Sequence, residues 1–139
     1  MKNSIHIIVI GIYRPPSAIK KWFEIFDQLL QEVILLGPIV LLGDLNANLM
    51  LPYTYPANTL LDSLSLAHLE ICEIFPTRIT AQSATCLDII AMDSSIECID
   101  YRLDECAASD HYPIIASIGV LSVTRPKPIV KTSKETLRI

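Results

Sequence analysis

Several features are scarce in this sequence of 139 residues, and each shortage excludes a class of protein. The longest apolar runs, at 5–12 and 33–42, are interrupted by His6, by Gly37 and by Pro38. They fall short of the ~20 residues that cross a bilayer, so we predict no membrane partner. The four cysteines include no C-x-x-C pair, which argues against zinc and thiol-redox motifs. We expect buried thiols in an intracellular protein.

Positive charge is also scarce over most of the chain. Residues 1–120 contain 6 Lys or Arg against 14 Asp or Glu, a net of -8, whereas residues 121–139 contain 5 against 1, a net of +4. A protein that binds nucleic acid by counterion release usually has a basic surface. The acidic part must therefore recruit metal cations, or basic groups from elsewhere, to hold an anionic substrate. We predict one domain at 1–120 and a basic tail or linker at 121–139.

Apolar periodicity predicts a mixed α/β architecture. A helix should begin at Ser17 as N-cap and stop before Gly37-Pro38, and a short one should span 59–66 with Asn58 as cap. The apolar run at 5–13 predicts a strand buried on both faces, which needs a partner strand on each side. Strands are predicted at 5–13, 39–42, 69–75, 87–91, 97–103 and 114–120. This order indicates an α/β sandwich.

Asp44 and Asn46 follow the second predicted strand. In extended backbone, residues two apart point to one face, so both side chains could share a water molecule. The carboxylate would accept a proton from that water and the amide would fix its orientation. A plain turn remains an alternative, because Gly, Asp and Asn are all favoured in turns.

Asp88 lies in the apolar segment 86–91, where an unpaired carboxylate would cost several kcal/mol. We predict that its partner is His111, with Asp88 holding one ring nitrogen. His111 could then donate a hydrogen bond to a phosphate oxygen or transfer a proton. The alternative is a loop histidine beside a capping aspartate, Asp110. Tyr13 ends the first strand, where it could reach a phosphate or be a rim residue.

Five segments in a fixed order carry a family resemblance. They are Tyr13-Arg14-Pro15-Pro16, Gly43-Asp44-Leu45-Asn46-Ala47, Pro76-Thr77-Arg78, Leu87-Asp88-Ile89-Ile90 and Ser109-Asp110-His111-Tyr112-Pro113-Ile114. Over about residues 5–120 the sequence resembles the later motifs of the endonuclease/exonuclease/phosphatase family, and within it the endonuclease domains of LINE-type non-LTR retrotransposons. The resemblance implies a partial four-layered α/β sandwich that cleaves phosphodiesters with Mg²⁺, or Mn²⁺ in its place, and takes DNA as its partner.

The resemblance also implies roles for individual residues. Asp44 would activate the attacking water and bind metal, Asn46 would orient the water, and Asp110 would be a further metal ligand. His111, supported by Asp88, would stabilise the charge that develops on phosphorus. Tyr13, at the end of the first strand, would contact the phosphate or assist the leaving group.

The sequence departs from this family in its earlier half. The asparagine and the metal-binding glutamate of that half are not matched, nor are the strands that should flank residues 5–12. We therefore expect a truncated domain, whose partner is the missing N-terminal half or reverse transcriptase region of a longer polyprotein, or which self-associates through exposed strand edges. It would be intracellular, and nuclear if it acts as a retrotransposon endonuclease. Alternatives to an impaired endonuclease are an inactive module that tethers DNA through the +4 tail, and a phosphodiesterase for another substrate.

Overall fold

The computed structural model describes residues 4–105 and 108–120. Its elements are β1 (Ile8–Tyr13), α1 (Lys20–Val33), β2 (Ile39–Asp44), α2 (Ala57–Leu66), β3 (Leu69–Ile71), β4 (Arg78–Ile79), β5 (Ala84–Thr85), β6 (Asp88–Asp93), β7 (Ile96–Leu103) and β8 (Ile114–Val120). The predicted tail at 121–139 lies outside the described residues. No helix within them is long and apolar enough to cross a bilayer.

The main sheet has the strand order β1-β2-β6-β3. β1 and β2 are parallel and are joined through α1, whereas β6 runs antiparallel to both β2 and β3. The register places Tyr13 opposite Asp44, and Asp44 opposite Asp88. Three polar residues from three strands therefore lie in one row at one end of the sheet.

The helices cover one face of this sheet. Phe23, Phe26 and Leu30 of α1 are buried at helical spacing, and they share a core with Leu41 of β2 and Ile89 of β6. This spacing places all three aromatic and aliphatic side chains on one stripe of the helix. The predicted helix thus exists because its apolar stripe meets the apolar face of the sheet.

The opposite face of the sheet is covered by the antiparallel β7–β8 hairpin. Val40, Ile90 and Met92 point to this side and form a second cluster with Ile96, against which Ile114 of β8 packs. Helices, sheet and hairpin form successive layers. This arrangement confirms the predicted α/β fold, a partial α/β sandwich.

The prediction that the first strand is buried on both faces is wrong. Within the described residues β1 pairs only with β2, and Val9 is 65% exposed while Tyr13 is 59% exposed. Ile8, Ile10 and Ile12 pack toward the helices, so burial alternates along the strand. The hairpin covers β2 and β6 but leaves the outer face of β1 open. A run of apolar residues cannot by itself show which of its faces is covered.

Both helix starts differ from the prediction. α1 begins at Lys20 after Ile19, and no side chain caps it, because residues before it form a turn in which the Ala18 N–H bonds the Pro15 carbonyl at 3.0 Å. α2 begins at Ala57 after Pro56, so Asn58 lies inside the helix. β3 ends at Ile71, earlier than predicted, and the short strands β4 and β5 were not predicted at all.

Candidate active site

Two carboxylates meet at the end of the main sheet. Asp44 is the last residue of β2 and Asp88 is the first residue of β6, directly opposite in the antiparallel register. Potential ligand atoms of Asp44, Asp88 and His111 all lie within 4.8 Å of one another, and all three residues are half-buried. Because two neighbouring carboxylates repel each other when both are ionised, this cluster favours a cation.

Gly43 allows β2 to approach β1 at this point. Its φ is +155°, and a Cβ there would overlap the backbone carbonyl of Ile12. Any side chain would therefore push the two strands apart or distort β2 just before Asp44. The close approach of β1 therefore explains why a glycine precedes Asp44.

Asp88 and His111 form the predicted contact. The ring nitrogen Nδ1 lies 2.9 Å from Oδ2 of Asp88, with side-chain exposures of 33% and 20%. A carboxylate that accepts from Nδ1 fixes the orientation of the ring and leaves Nε2 available for a substrate. The contact is confirmed, while the catalytic role remains a prediction.

Thr77 holds the Asp88–His111 pair through a hydrogen bond to Asp88. The sequence analysis did not identify this role of Thr77. Its side chain is fully buried, and its hydroxyl donates to Oδ2 of Asp88 at 2.8 Å. The hydroxyl oxygen of Thr77 also accepts hydrogen bonds from the backbone N–H groups of Leu87 (3.1 Å) and Asp88 (3.0 Å). The one available signal was its place in the Pro76-Thr77-Arg78 segment.

β4 holds the loop that carries His111. Arg78 forms an antiparallel bridge with His111, and the Tyr112 N–H bonds the Thr77 carbonyl at 2.7 Å. The Ile79 N–H also bonds the Asp110 carbonyl at 3.0 Å. The two-residue strand that the sequence did not reveal therefore sets the position of the histidine.

Asp110, predicted as a metal ligand, forms an ion pair with Arg78. Its Oδ2 accepts from Nε of Arg78 at 2.7 Å, and both side chains are well exposed. It is not in the group of close potential ligands that Asp44, Asp88 and His111 form among the described residues. Metal binding by Asp110 remains a prediction, and it would compete with this ion pair.

Asn46 does not continue the strand as we assumed. β2 ends at Asp44, and Asn46 has a φ of 45°, in the left-handed region that asparagine tolerates. Its backbone N–H donates to Oδ1 of Asp44 at 3.0 Å, and its side-chain Nδ2 donates to the Arg14 carbonyl at 2.8 Å. The turn thus orients the Asp44 carboxylate. The role of Asn46 in holding water remains a prediction.

Arg14 supports this turn from inside the protein. It is 1% exposed, and its guanidinium donates to the carbonyls of Leu45 (3.4 Å), Asn46 (3.3 Å) and Ala18 (3.0 Å). The same group lies over the Phe23 ring, 5.3 Å from its centroid. Arg14 therefore connects the core of α1 to the turn after Asp44.

A cavity of about 410 Å³ opens beside these side chains. Asp44, Asp88 and His111 contribute polar groups to its wall, and Leu42 and Ile90 contribute apolar surface. Tyr13 is exposed one strand away, in register with Asp44, and its contact with a phosphate remains a prediction. The volume suits a small ligand or one nucleotide unit of a longer one.

The donor set fits a hard divalent cation. Mg²⁺ is usually held by one or two carboxylates, with water and substrate oxygens completing its shell. Asp44 and Asp88 supply two carboxylates, and Nδ1 of His111 is already committed to Asp88. The two carboxylates therefore match the ligands that such an ion prefers, without a nitrogen ligand.

Comparison with known proteins supports the fold. No protein-family model and no curated protein matches the chain by sequence. Among solved structures, this chain is similar to the endonuclease domain of TRAS1, a telomere-specific non-LTR retrotransposon, with a TM-score of 0.61 and 20% sequence identity. The match covers 78% of this chain and 54% of the TRAS1 domain.

Two further structures show the same likeness. An endonuclease/exonuclease/phosphatase from Beutenbergia cavernae matches 82% of this chain (TM-score 0.60, 16% identity, 36% of its own length). The mannosyl-6-phosphatase Bt3783 of Bacteroides thetaiotaomicron matches 84% (TM-score 0.55, 15% identity, 52% of its own length). The chain thus spans about half or less of the structures it matches, and over that span it has the fold of the endonuclease/exonuclease/phosphatase proteins.

Proposed function

We propose that Asp44, Asp88 and His111 form the phosphate-cleaving site of a divalent-metal-dependent phosphodiesterase, and that its substrate is DNA. One observation carries the proposal. The Asp88–His111 pair, fixed by the buried Thr77 hydroxyl, lies beside the Asp44 carboxylate at the mouth of a cavity. A histidine so oriented, next to a second carboxylate, has the groups needed for attack of water on a phosphodiester.

Each residue has a separate task in this proposal. Asp44 accepts the proton of the attacking water, and Nε2 of His111 donates to the phosphate oxygen that gains charge. Asp88 keeps the ring in place through Nδ1. A bound Mg²⁺ or Mn²⁺ would polarise the phosphate and neutralise its charge. Asp44 would be one ligand of this ion, and we propose Asp88 as the second, a choice supported by the pairing of Asp110 with Arg78.

The choice of DNA rests on two observations. The similar TRAS1 structure is described as an endonuclease domain of a retrotransposon. The residues at 121–139 carry a net charge of +4, which would supply basic groups that the acidic body lacks. We propose that this segment tethers DNA while the cavity receives one phosphate. If the protein acts as a retrotransposon endonuclease, it would work in the nucleus.

A second candidate is a phosphodiesterase or phosphatase for a small substrate. The similar Bt3783 structure is described as a mannosyl-6-phosphatase, and residues 1–120 of this protein have a net charge of -8. A small anion needs the metal and the cavity but no extended basic surface. The two candidates share the site and differ only in what else the substrate must contact.

Nicking of supercoiled plasmid with Mg²⁺ or Mn²⁺ tests the site. His111→Ala should lower nicking by roughly 100-fold or more, the usual contribution of a positioned acid or base. His6→Ala is the matched control, because His6 is exposed and lies outside the cluster. Equal nicking by the wild type and His111→Ala would exclude this assignment. Hydrolysis of bis(p-nitrophenyl) phosphate without plasmid nicking would favour the small-substrate candidate.

Calorimetry with Mg²⁺ tests the metal independently of turnover. We expect binding tighter than about millimolar, and its loss in Asp44→Asn, which removes a charge while keeping the shape of the side chain. Asp62→Asn, in an exposed position of α2, should bind as the wild type does. Absence of both binding and nicking would contradict the proposed metal-dependent activity.

A further inference from the structure

The proposed reaction assigns no role to the side chain of Arg78, although this residue lies next to His111. The two residues face each other in an isolated antiparallel bridge, and the backbone hydrogen bonds on either side of it are 3.0 and 2.7 Å long. In such a pair the two Cβ atoms are about 4.5–5.5 Å apart. The arginine side chain therefore begins beside the histidine of the candidate site.

The guanidinium of Arg78 is held at one end only. Its Nε donates to Oδ2 of Asp110 at 2.7 Å. No hydrogen bond or ion pair from 4–105 or 108–120 reaches its two terminal nitrogens, and the side chain is 37% exposed. The terminal N–H groups form a fork that matches the oxygens of a phosphate. Because the aspartate already restricts the guanidinium, binding an anion there costs less side-chain entropy.

This fork stands outside the cavity of the proposed reaction. The cavity wall includes His111, Tyr112 and Pro113 but not Arg78. A phosphate in the cavity is therefore contacted by the histidine, and the arginine is placed for a different phosphate beyond the rim. In a polynucleotide a neighbouring phosphate follows along the same strand, whereas a small phosphodiester has none.

We propose that Arg78 forms a second phosphate subsite, which binds a neighbouring phosphate of the substrate strand while the scissile phosphate lies at His111. The inference rests on the proposed function and deepens it. A substrate with at least two phosphates, such as a polynucleotide, gains a contact that a single phosphodiester cannot make. Asp110 keeps the Nε of the arginine in this arrangement.

A comparison of two substrates tests this subsite. Arg78→Gln should lower kcat/KM for plasmid nicking at least about 10-fold more than kcat/KM for bis(p-nitrophenyl) phosphate, since it removes a charged hydrogen bond that only the polynucleotide makes. Arg102→Gln is the matched control, because Arg102 is also an exposed arginine beside an aspartate, with its Nε 3.9 Å from Oδ1 of Asp104. The control should show no such difference between the substrates. An equal loss on both substrates in Arg78→Gln would assign this arginine to support of the His111 loop and overturn the inference.

DNA binding without turnover tests the same contact. The probe is a fluorescein-labelled duplex in Ca²⁺, which takes oxygen ligands as Mg²⁺ does, and anisotropy is followed over a range of salt concentrations. Arg78→Gln should weaken binding about 10-fold and reduce the slope of log Kd against log salt by about 0.9, the value for one phosphate contact. Arg78→Lys keeps the charge but not the fork, so it should keep the wild-type slope and bind less tightly than the wild type. Unchanged affinity and slope in Arg78→Gln, or no binding by the wild type, would overturn the inference.

The failure of this inference is distinguishable from the failure of the proposed function. A wild type that binds the duplex through Arg78 but neither nicks plasmid nor hydrolyses the small substrate would contradict the proposed function and support the subsite. Nicking that depends on His111 but not on Arg78 would support the proposed function and overturn the subsite.

Discussion

Replacing Thr77 with valine should remove the hydrogen bonds that hold the Asp88–His111 pair in place. The two side chains have nearly the same shape, so the change removes the hydroxyl without opening a cavity. That hydroxyl makes three hydrogen bonds in a fully buried position: one to the Asp88 carboxylate and two from the N–H groups of Leu87 and Asp88. The perturbation therefore acts on one atom.

The size of the effect follows from these three bonds. A neutral hydrogen bond contributes about 1 kcal/mol and one to a charged group about 1.5–3 kcal/mol, and a buried N–H left without an acceptor adds a further cost. Thr77→Val should lower the free energy of unfolding by about 3–5 kcal/mol. This is a large part of the ~5–15 kcal/mol that stabilises an ordinary domain.

Urea unfolding followed by fluorescence gives the measurement. Trp22, the single tryptophan, packs against Phe26 in the core and reports on unfolding of the whole domain. Thr77→Ser is the matched control, because it keeps the hydroxyl and loses one buried methyl group, for about 1 kcal/mol. If the valine and serine variants differ by less than about 1 kcal/mol, the hydroxyl does not carry the network, and the positioning of Asp88 needs another explanation.

Three other substitutions test separate parts of the structure. Arg14→Met should lower the free energy of unfolding in urea by about 2–4 kcal/mol, since it leaves the buried carbonyls after Asp44 without their donor. Tyr101→Phe should be neutral or stabilising below pH 9, because the buried Tyr101 hydroxyl has no partner within the described residues. Burial raises the pKa of Tyr101 from 10.0 to about 12, so the unfolded chain ionises first and wild-type stability should fall between these pH values, less so in Tyr101→Phe. Val9→Lys should reduce concentration-dependent self-association in sedimentation velocity, and a wild type that stays monomeric throughout would refute an adhesive β1 face.

The sequence predicted the elements that have a clear apolar period. α1 shows a helical stripe of buried side chains and was found from its period, whereas β8 was found as a short apolar run at 114–120. β4 and β5 have two residues each, too few to show any period, although β4 is the element that positions His111. Short strands are set by their partners in space, which a linear pattern does not contain.

The part of the candidate site that could be predicted is the one in which a buried charge requires a partner. An aspartate within the apolar segment 86–91 needed a partner, and the candidate that we favoured, His111, is the one that the structure shows. The position of Asn46 was not predictable in this way, because the left-handed turn arises from contacts with Arg14 and Asp44. The sequence also did not predict that Asp110 pairs with Arg78, because exposed charged side chains can form ion pairs with several different partners.

The contacts that orient His111 come from the segments around Thr77, Asp88 and Ser109. Thr77 and Arg78 supply the hydroxyl and the backbone bridge, and Ser109 accepts the His111 N–H at 3.1 Å. None of these contacts involves β1, whose outer face is exposed. Changes on the β1 face should therefore alter association without moving the Asp88–His111 pair, whereas changes at Thr77 should do the reverse. The position of Asp44 relative to that pair depends instead on the β2–β6 register, so the proposed metal binding should be lost when that register is disturbed.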